Sequence, residues 1–240
     1  TASRALALLG LVALLAGAEL EPDAGYLLYP GDLLSVQVFD HPDLAGRLWP
    51  GYDFVSDTQY SADGDGRDPD PTDPGDWTND TACGLTWVGR NSSWHGTHVA
   101  GIIGAAGDNG LGIAGVNWRS HILPVRVLGR CGGSSSDIFD AVRWAAGLSI
   151  PGVPDNTHPA RVINLSLGGV HACTAGYQSA VDDARAAGAV IVAAAGNSGE
   201  DTAAVTPANC AGVIAVGATD ALGNLADYSN YGATLAVSAP

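Results

Sequence analysis

The chain has 240 residues and a mass of 24.2 kDa, enough for one large α/β domain or two small ones. With 46% hydrophobic residues and a mean hydropathy of +0.14 it can bury a sizeable core, which excludes disorder for most of its length. A net charge of −15, with every basic residue an Arg, excludes a nucleic-acid binder, because a phosphate backbone needs clustered cations.

The first stretch reads as a targeting segment rather than as fold. Arg4 precedes an apolar run from Ala5 to Ala16, and Ala16-Gly17-Ala18 has the small-residue pattern of a cleavage site. Residues 1–18 are therefore assigned to export, the run being too short to span a bilayer with margin. No stable membrane span is expected, and the product is read as secreted, whether periplasmic or extracellular. Export makes the four Cys interpretable as two disulfides, with three pairings open. None forms a C-x-x-C pair, which argues against zinc. Residues 19–40 form a segment of uncertain origin, and a single domain is expected over 41–240.

From Asp53 to Asp80 there are nine Asp and one Arg, a local charge of −8. The segment from Tyr52 to Asp80 is rich in Gly, Pro and Asp without apolar periodicity, so it reads as a long loop. One reading is a solvated acidic stretch. The other is a Ca²⁺ site, since hard cations take six to eight oxygens and Asp63, Asp65, Asp68, Asp70, Asp73 and Asp76 alternate with turn formers. Asp63, Asp65, Asp68 and Asp76 are the preferred ligands, because Gly64, Gly66 and Gly75 let the backbone curl around an ion. The carboxylates repel one another, and within the loop only Arg67 offsets them. The spacing is not that of an EF-hand.

Beyond Ser93, short β-branched runs alternate with helical patterns. Ile122–Leu128, Val162–Leu165, Ala189–Ala193 and Val213–Val216 suit strands buried on both faces. Asp137–Leu148 and Tyr177–Ala187 carry apolar residues at helical spacing with Gly near the end. The alternation predicts βαβ units and a mostly parallel sheet, an α/β fold. Cys83 precedes the His95 region and Cys131 follows a strand end, while Cys173 and Cys210 flank the second helix and the strand after it. The pairs Cys83–Cys131 and Cys173–Cys210 are expected.

The chemistry sits where strands meet helices. Ser93-Trp-His-Gly-Thr-His-Val-Ala-Gly-Ile102 offers Ser93 as a helix N-cap and carries His95 in the first turn. Asn164-Leu-Ser-Leu-Gly-Gly169 and Ala193-Ala-Ala-Gly-Asn-Ser198 follow in order. Together these blocks resemble the active-site histidine, cleft strand and oxyanion-asparagine motifs of the subtilisin-like serine proteases. Pro124–Leu128, Tyr228-Ser-Asn-Tyr-Gly232 and Val237-Ser-Ala-Pro240 also match, so the resemblance covers about His41 to Pro240. It implies a subtilisin-like three-layer α/β fold acting as a monomer on polypeptide substrates. His95 would move the proton of a serine hydroxyl, and Asn197 would aim its amide at the developing oxyanion. Ser166, Leu167, Gly168 and Gly169 would offer a strand edge and space to an extended peptide. His98, one turn on from His95, is read as structural. Calcium use in this family also favours the acidic-loop site.

The sequence departs from the family twice, both times at the triad. The family's nucleophile lies in a Gly-Thr-Ser-Met-Ala block downstream of the segment matching Val237–Pro240, and this sequence contains neither that block nor any Met. The fold is accordingly expected to be C-terminally incomplete, and the chain inactive as it stands. The family's acid sits in an Asp-Thr-Gly or Asp-Ser-Gly turn several residues before His-Pro-Asp-Leu, whereas here Asp40 runs directly into His41-Pro-Asp-Leu44. Asp40 is the candidate acid. Tyr26–Leu44 also resembles the opening of bacterial polysaccharide-export outer-membrane proteins, which suggests a fusion at the shared His-Pro-Asp-Leu. The alternative function is a non-catalytic peptide-binding or export-related fusion module.

Overall fold

The computed structural model describes residues 34–35, 41–79, 82–83 and 89–240. In chain order the first elements are β1 (Leu34–Ser35), β2 (Tyr52–Asp53), a one-turn helix α1 (Thr58–Ser61), α2 (His95–Gly104), β3 (Leu123–Arg126) and α3 (Ser135–Ala145). There follow β4 (Val162–Leu165), β5 (Gly169–Val170), α4 (Ala175–Ala186), β6 (Val190–Ala194), β7 (Val205–Thr206), β8 (Val213–Ala218) and β9 (Leu235–Ala239). The export-like segment 1–18 and Asp40 lie outside the described residues. So does the Tyr26–Leu44 resemblance, apart from Leu34, Ser35 and His41–Leu44.

The strands confirm a parallel sheet. β1 and β2 flank β3, and β4-β6-β8-β9 run parallel with registers such as Ile163↔Ile191 and Ile191↔Val213. β1 lies against β4, so the order across the two sheets reads β2-β3-β1-β4-β6-β8-β9. The strands β1, β2 and β3 thus lie on one side of the β1–β4 junction and β4, β6, β8 and β9 on the other, so the direction of winding reverses there. A crevice at the carboxyl ends of the strands opens at such a reversal. β5 and β7 form a separate antiparallel pair.

Alternation along β3 divides the core. Leu123 and Val125 join the main cluster with Ile163, Leu165, Ile191 and Ala193, under Ile138, Val142 and Trp144 of α3 and Tyr177 and Val181 of α4. Ile122, next to Leu123 in sequence, points to the other face and packs with Leu44 and Ala100 of α2. Helices therefore cover both faces of the sheet, giving the three layers expected. The Arg47 guanidinium donates to the carbonyls of Gly104, Asn117 and Trp118, supplying the end of α2 with a cation and donors.

Several local expectations need correction. α3 and α4 begin earlier than the apolar periodicity, because Ser134 accepts from the Ser136 N–H and Thr174 from the Tyr177 N–H, each starting its helix two residues sooner. Ser93 is not the N-cap of α2: that position belongs to Trp94, and the Ser93 hydroxyl donates to Asp76 instead. The acidic stretch is not a plain loop either. It contributes β2 and α1, and Asp53, Asp73 and Asp76 are buried. The reason is Arg126, which enters it from β3.

Candidate active site

Arg126 is the largest fully buried side chain of the domain. Its Nη1 donates to Asp53 Oδ2 and to Asp63 Oδ2, both at 2.5 Å. Nη2 donates to the Ser61 carbonyl and, at 3.3 Å, to Asp73 Oδ1. Arg67 reaches the opposite way, to Asp137 of α3 at 2.6 Å and to Asp140 at 2.8 Å. The run of like charge is thus folded onto the domain by one guanidinium from the sheet and one from the loop itself. The sequence signal was present: an Arg inside the apolar run Ile122–Leu128 has to meet carboxylates once buried.

One carboxylate oxygen from each of Asp53, Asp63 and Asp68 lies within 4.8 Å of the other two. Burial pushes Asp53 up to about 7 against the opposing charge of Arg126, and burial also raises Asp68 and Asp73. Of the four ligands preferred from sequence, the structure brings Asp63 and Asp68 together and adds Asp53. Asp65 is not in that group, and Asp76 turns elsewhere.

Asp76 turns to the start of α2. Its Oδ1 accepts from the Ser93 N–H at 2.5 Å and its Oδ2 from the Ser93 hydroxyl at 2.9 Å, with Arg90 at 3.8 Å. Two residues on, His95 opens the helix half-buried, while His98 is exposed. Burial lowers the pKa of the His95 imidazole, and the His98 charge lowers it further. The Asp76 carboxylate raises it, so the net shift is the resultant of solvent exclusion and two neighbours.

On the other side of the strand reversal, β4 and β6 end side by side, Leu165 opposite Ala193. Ser166 to Gly169 leave the end of β4, and Ala195 to Asn197 leave the end of β6, so the residues expected from sequence to line a cleft and the oxyanion candidate emerge from neighbouring strands. Leu167 is buried and Gly168 exposed, where a side chain would crowd the Thr206 carbonyl. Asn164 donates to the Ser166 hydroxyl at 2.9 Å. Asn197 is exposed on a turn whose Gly196 has φ +111°.

That turn is held by a residue whose role the sequence did not reveal. Asn230 is fully buried; its Oδ1 accepts from the N–H groups of Ser198 and Glu200 at 3.0 Å, and its Nδ2 donates to the Ala195 carbonyl. Its own N–H donates to the Gly196 carbonyl. A side chain at Gly196 would collide with the Asn230 amide, so the glycine is needed for close approach as well as for its φ.

Both expected disulfides form. Cys83–Cys131 and Cys173–Cys210 have Cα separations of 5.4 and 5.2 Å, within the range a bridge permits. They brace the loop before α2 and the segment before α4.

Comparison with known proteins agrees with this geometry, the subtilase family profile matching residues 37–240. The chain belongs to the subtilase family. It is 46% identical over 208 residues to an extracellular protease of Xanthomonas campestris, covering 87% of this chain and 36% of that protein. To an extracellular basic protease of Dichelobacter nodosus it is 47% identical over 207 residues, covering 85% of this chain and 34% of the other. It therefore spans about a third of the length of these curated relatives. A solved Pseudoalteromonas arctica protease superposes with a TM-score of 0.85 at 46% identity, over 88% of this chain and 63% of that one. These neighbours bear out the subtilisin-like α/β fold. No described helix is long and apolar enough to cross a membrane.

Proposed function

We propose that these residues form the histidine- and oxyanion-bearing part of a secreted subtilisin-like serine endopeptidase. His95 takes the proton from the nucleophilic hydroxyl and returns it to the leaving amine. Asn197 donates its side-chain N–H to the oxyanion, and Ser166 to Gly169 align the substrate backbone as an added strand. Asp40 is the acid assigned to His95 from sequence, and the nucleophilic serine is not among these 240 residues. One observation carries the reading: the Ser166–Gly169 strand end and the Asn197 turn emerge side by side from β4 and β6, next to the reversal of strand order.

The experiment has two arms. A fluorophosphonate should label no serine of this chain, and a labelled serine would overturn the assignment. A short extended peptide should shift the backbone NMR signals of Ser166–Gly169 and the side-chain amide of Asn197. A peptide that binds without touching them would refute the cleft.

The acidic loop is proposed to hold Ca²⁺ through Asp53, Asp63 and Asp68. All the donors are carboxylate oxygens, the type a hard cation takes, and Arg126 sets one positive charge against the three. The ion would supply that charge and tie the loop together.

A further inference from the structure

We propose that Asp76 is the positioning residue of His95, clamping the turn that aims the imidazole and keeping a negative charge beside it. The inference rests on His95 being the general base. Trp94, the residue directly before His95, has φ +49°, a left-handed conformation that a non-glycine residue keeps only where its surroundings enforce it. An indole has no acceptor with which to cap a helix. The restraint comes from the acidic loop.

Both oxygens of the buried Asp76 carboxylate are bound by Ser93, one to its N–H and one to its hydroxyl, so the backbone is fixed two residues before the ring. On one side of Asp76, Gly75 has φ +106°, and a Cβ there would strike the Ser92 hydroxyl and meet the Trp94 ring at 3.3 Å. On the other, Thr78 and Arg90 exchange backbone hydrogen bonds at 2.9 and 3.0 Å. Residues 75–78 are thereby zipped to residues 90–94, with the carboxylate at the start of α2, where the helix dipole favours an anion.

The charge matters to the chemistry as well as to the shape. Among the described residues, His98 disfavours imidazolium at His95 and Asp76 favours it. A base that becomes imidazolium during the reaction gains from a carboxylate already in place.

The test follows the His95 ring in the full chain by NMR, assigned with H95Q, between pH 4 and 9. D76N should lower the His95 titration midpoint, and D76E should restore it. D70N, which removes an exposed carboxylate from the same loop, should leave it unchanged. Exchange of the His98 amide, bonded to the Trp94 carbonyl at 3.0 Å, should quicken about tenfold in D76N as the turn loosens. A D76N protein with a wild-type His95 midpoint, or an equal fall in D70N, overturns the proposal even if stability drops. Should D76N not fold, S93A keeps the charge and removes one arm of the clamp. Faster His98 exchange in S93A supports the clamp, and unchanged exchange overturns it. These readouts need no turnover, so failure of the catalytic reading, seen with the fluorophosphonate and the peptide, remains distinguishable.

Discussion

Replacing Arg126 with Met removes a guanidinium that is fully buried and keeps a side chain of similar length. Asp53 and Asp73, both buried, lose their cationic partner, and Asp63 loses a 2.5 Å contact. Breaking a buried pair by deleting one member costs about 3–5 kcal/mol, a large part of the ~5–15 kcal/mol that holds a domain together. With a urea dependence of about 2 kcal/mol per M, the unfolding midpoint at pH 8 should fall by about 2 M. The loss should be smaller at pH 5. Asp53 already sits near 7, and without Arg126, whose charge lowers it, Asp53 moves further up and is neutral in acid. Urea titrations followed by tryptophan fluorescence at the two pH values measure both effects, and D53N added to R126M should recover part of the loss. A shift below about 0.5 M at pH 8, or an equal shift at both pH values, would refute the account of Arg126 as the residue that folds the acidic segment.

In chelator, wild-type stability should fall as pH rises from about 4 to about 7. Asp53 keeps its proton up to about 7 in the folded state but only to 3.8 unfolded, so its contribution is full below 3.8 and lost through 7. Saturating Ca²⁺ should flatten that fall and add about 3 kcal/mol at a hundredfold excess over Kd, while a Tm indifferent to Ca²⁺ at pH 7.5 removes the site. N230A should cost about 1–3 kcal/mol and disperse the Asn197 amide signal among conformers, because three hydrogen bonds to the 195–200 turn are lost at once; an unchanged signal argues against the clamp.

The parallel sheet was legible because its strands are short, β-branched runs buried on both faces, and β4 begins and ends where its apolar run does. The residues proposed to react could be named from sequence because His95 and Asn197 stand in dense local motifs. Boundaries set by caps were less so, since Ser134 and Thr174 start their helices ahead of the apolar stripe. The charge run misled most. Its partner Arg126 lies more than fifty residues from Asp53, Asp63 and Asp73, in a segment that reads as an ordinary strand. Asn230 was missed for a similar reason, lying thirty or more residues from the turn it binds.

The same loop explains why the acidic run is better regarded as a strap than as a solvated face. One end is fixed by Arg126 at Asp73, whose other bond goes to the Gly75 N–H through the same Oδ1 atom. Gly75 packs on Ser92 and Trp94, and Asp76 binds Ser93, two residues from the imidazole. Four residues, 73–76, therefore join the buried guanidinium of the sheet to the start of the His95 helix. A loop with nine Asp would be a poor choice for that span if charge were only a solubility device, since each carboxylate taken out of water costs free energy unless it is paired. Here the pairing is distributed: Arg126 takes Asp53, Asp63 and Asp73, Ser93 takes Asp76, and Asp53, Asp63 and Asp68 leave an excess that a divalent cation would balance. The path from the Asp53, Asp63 and Asp68 carboxylates to the histidine then runs through fixed polar contacts rather than through the hydrophobic core. Conditions that loosen the first should loosen the second.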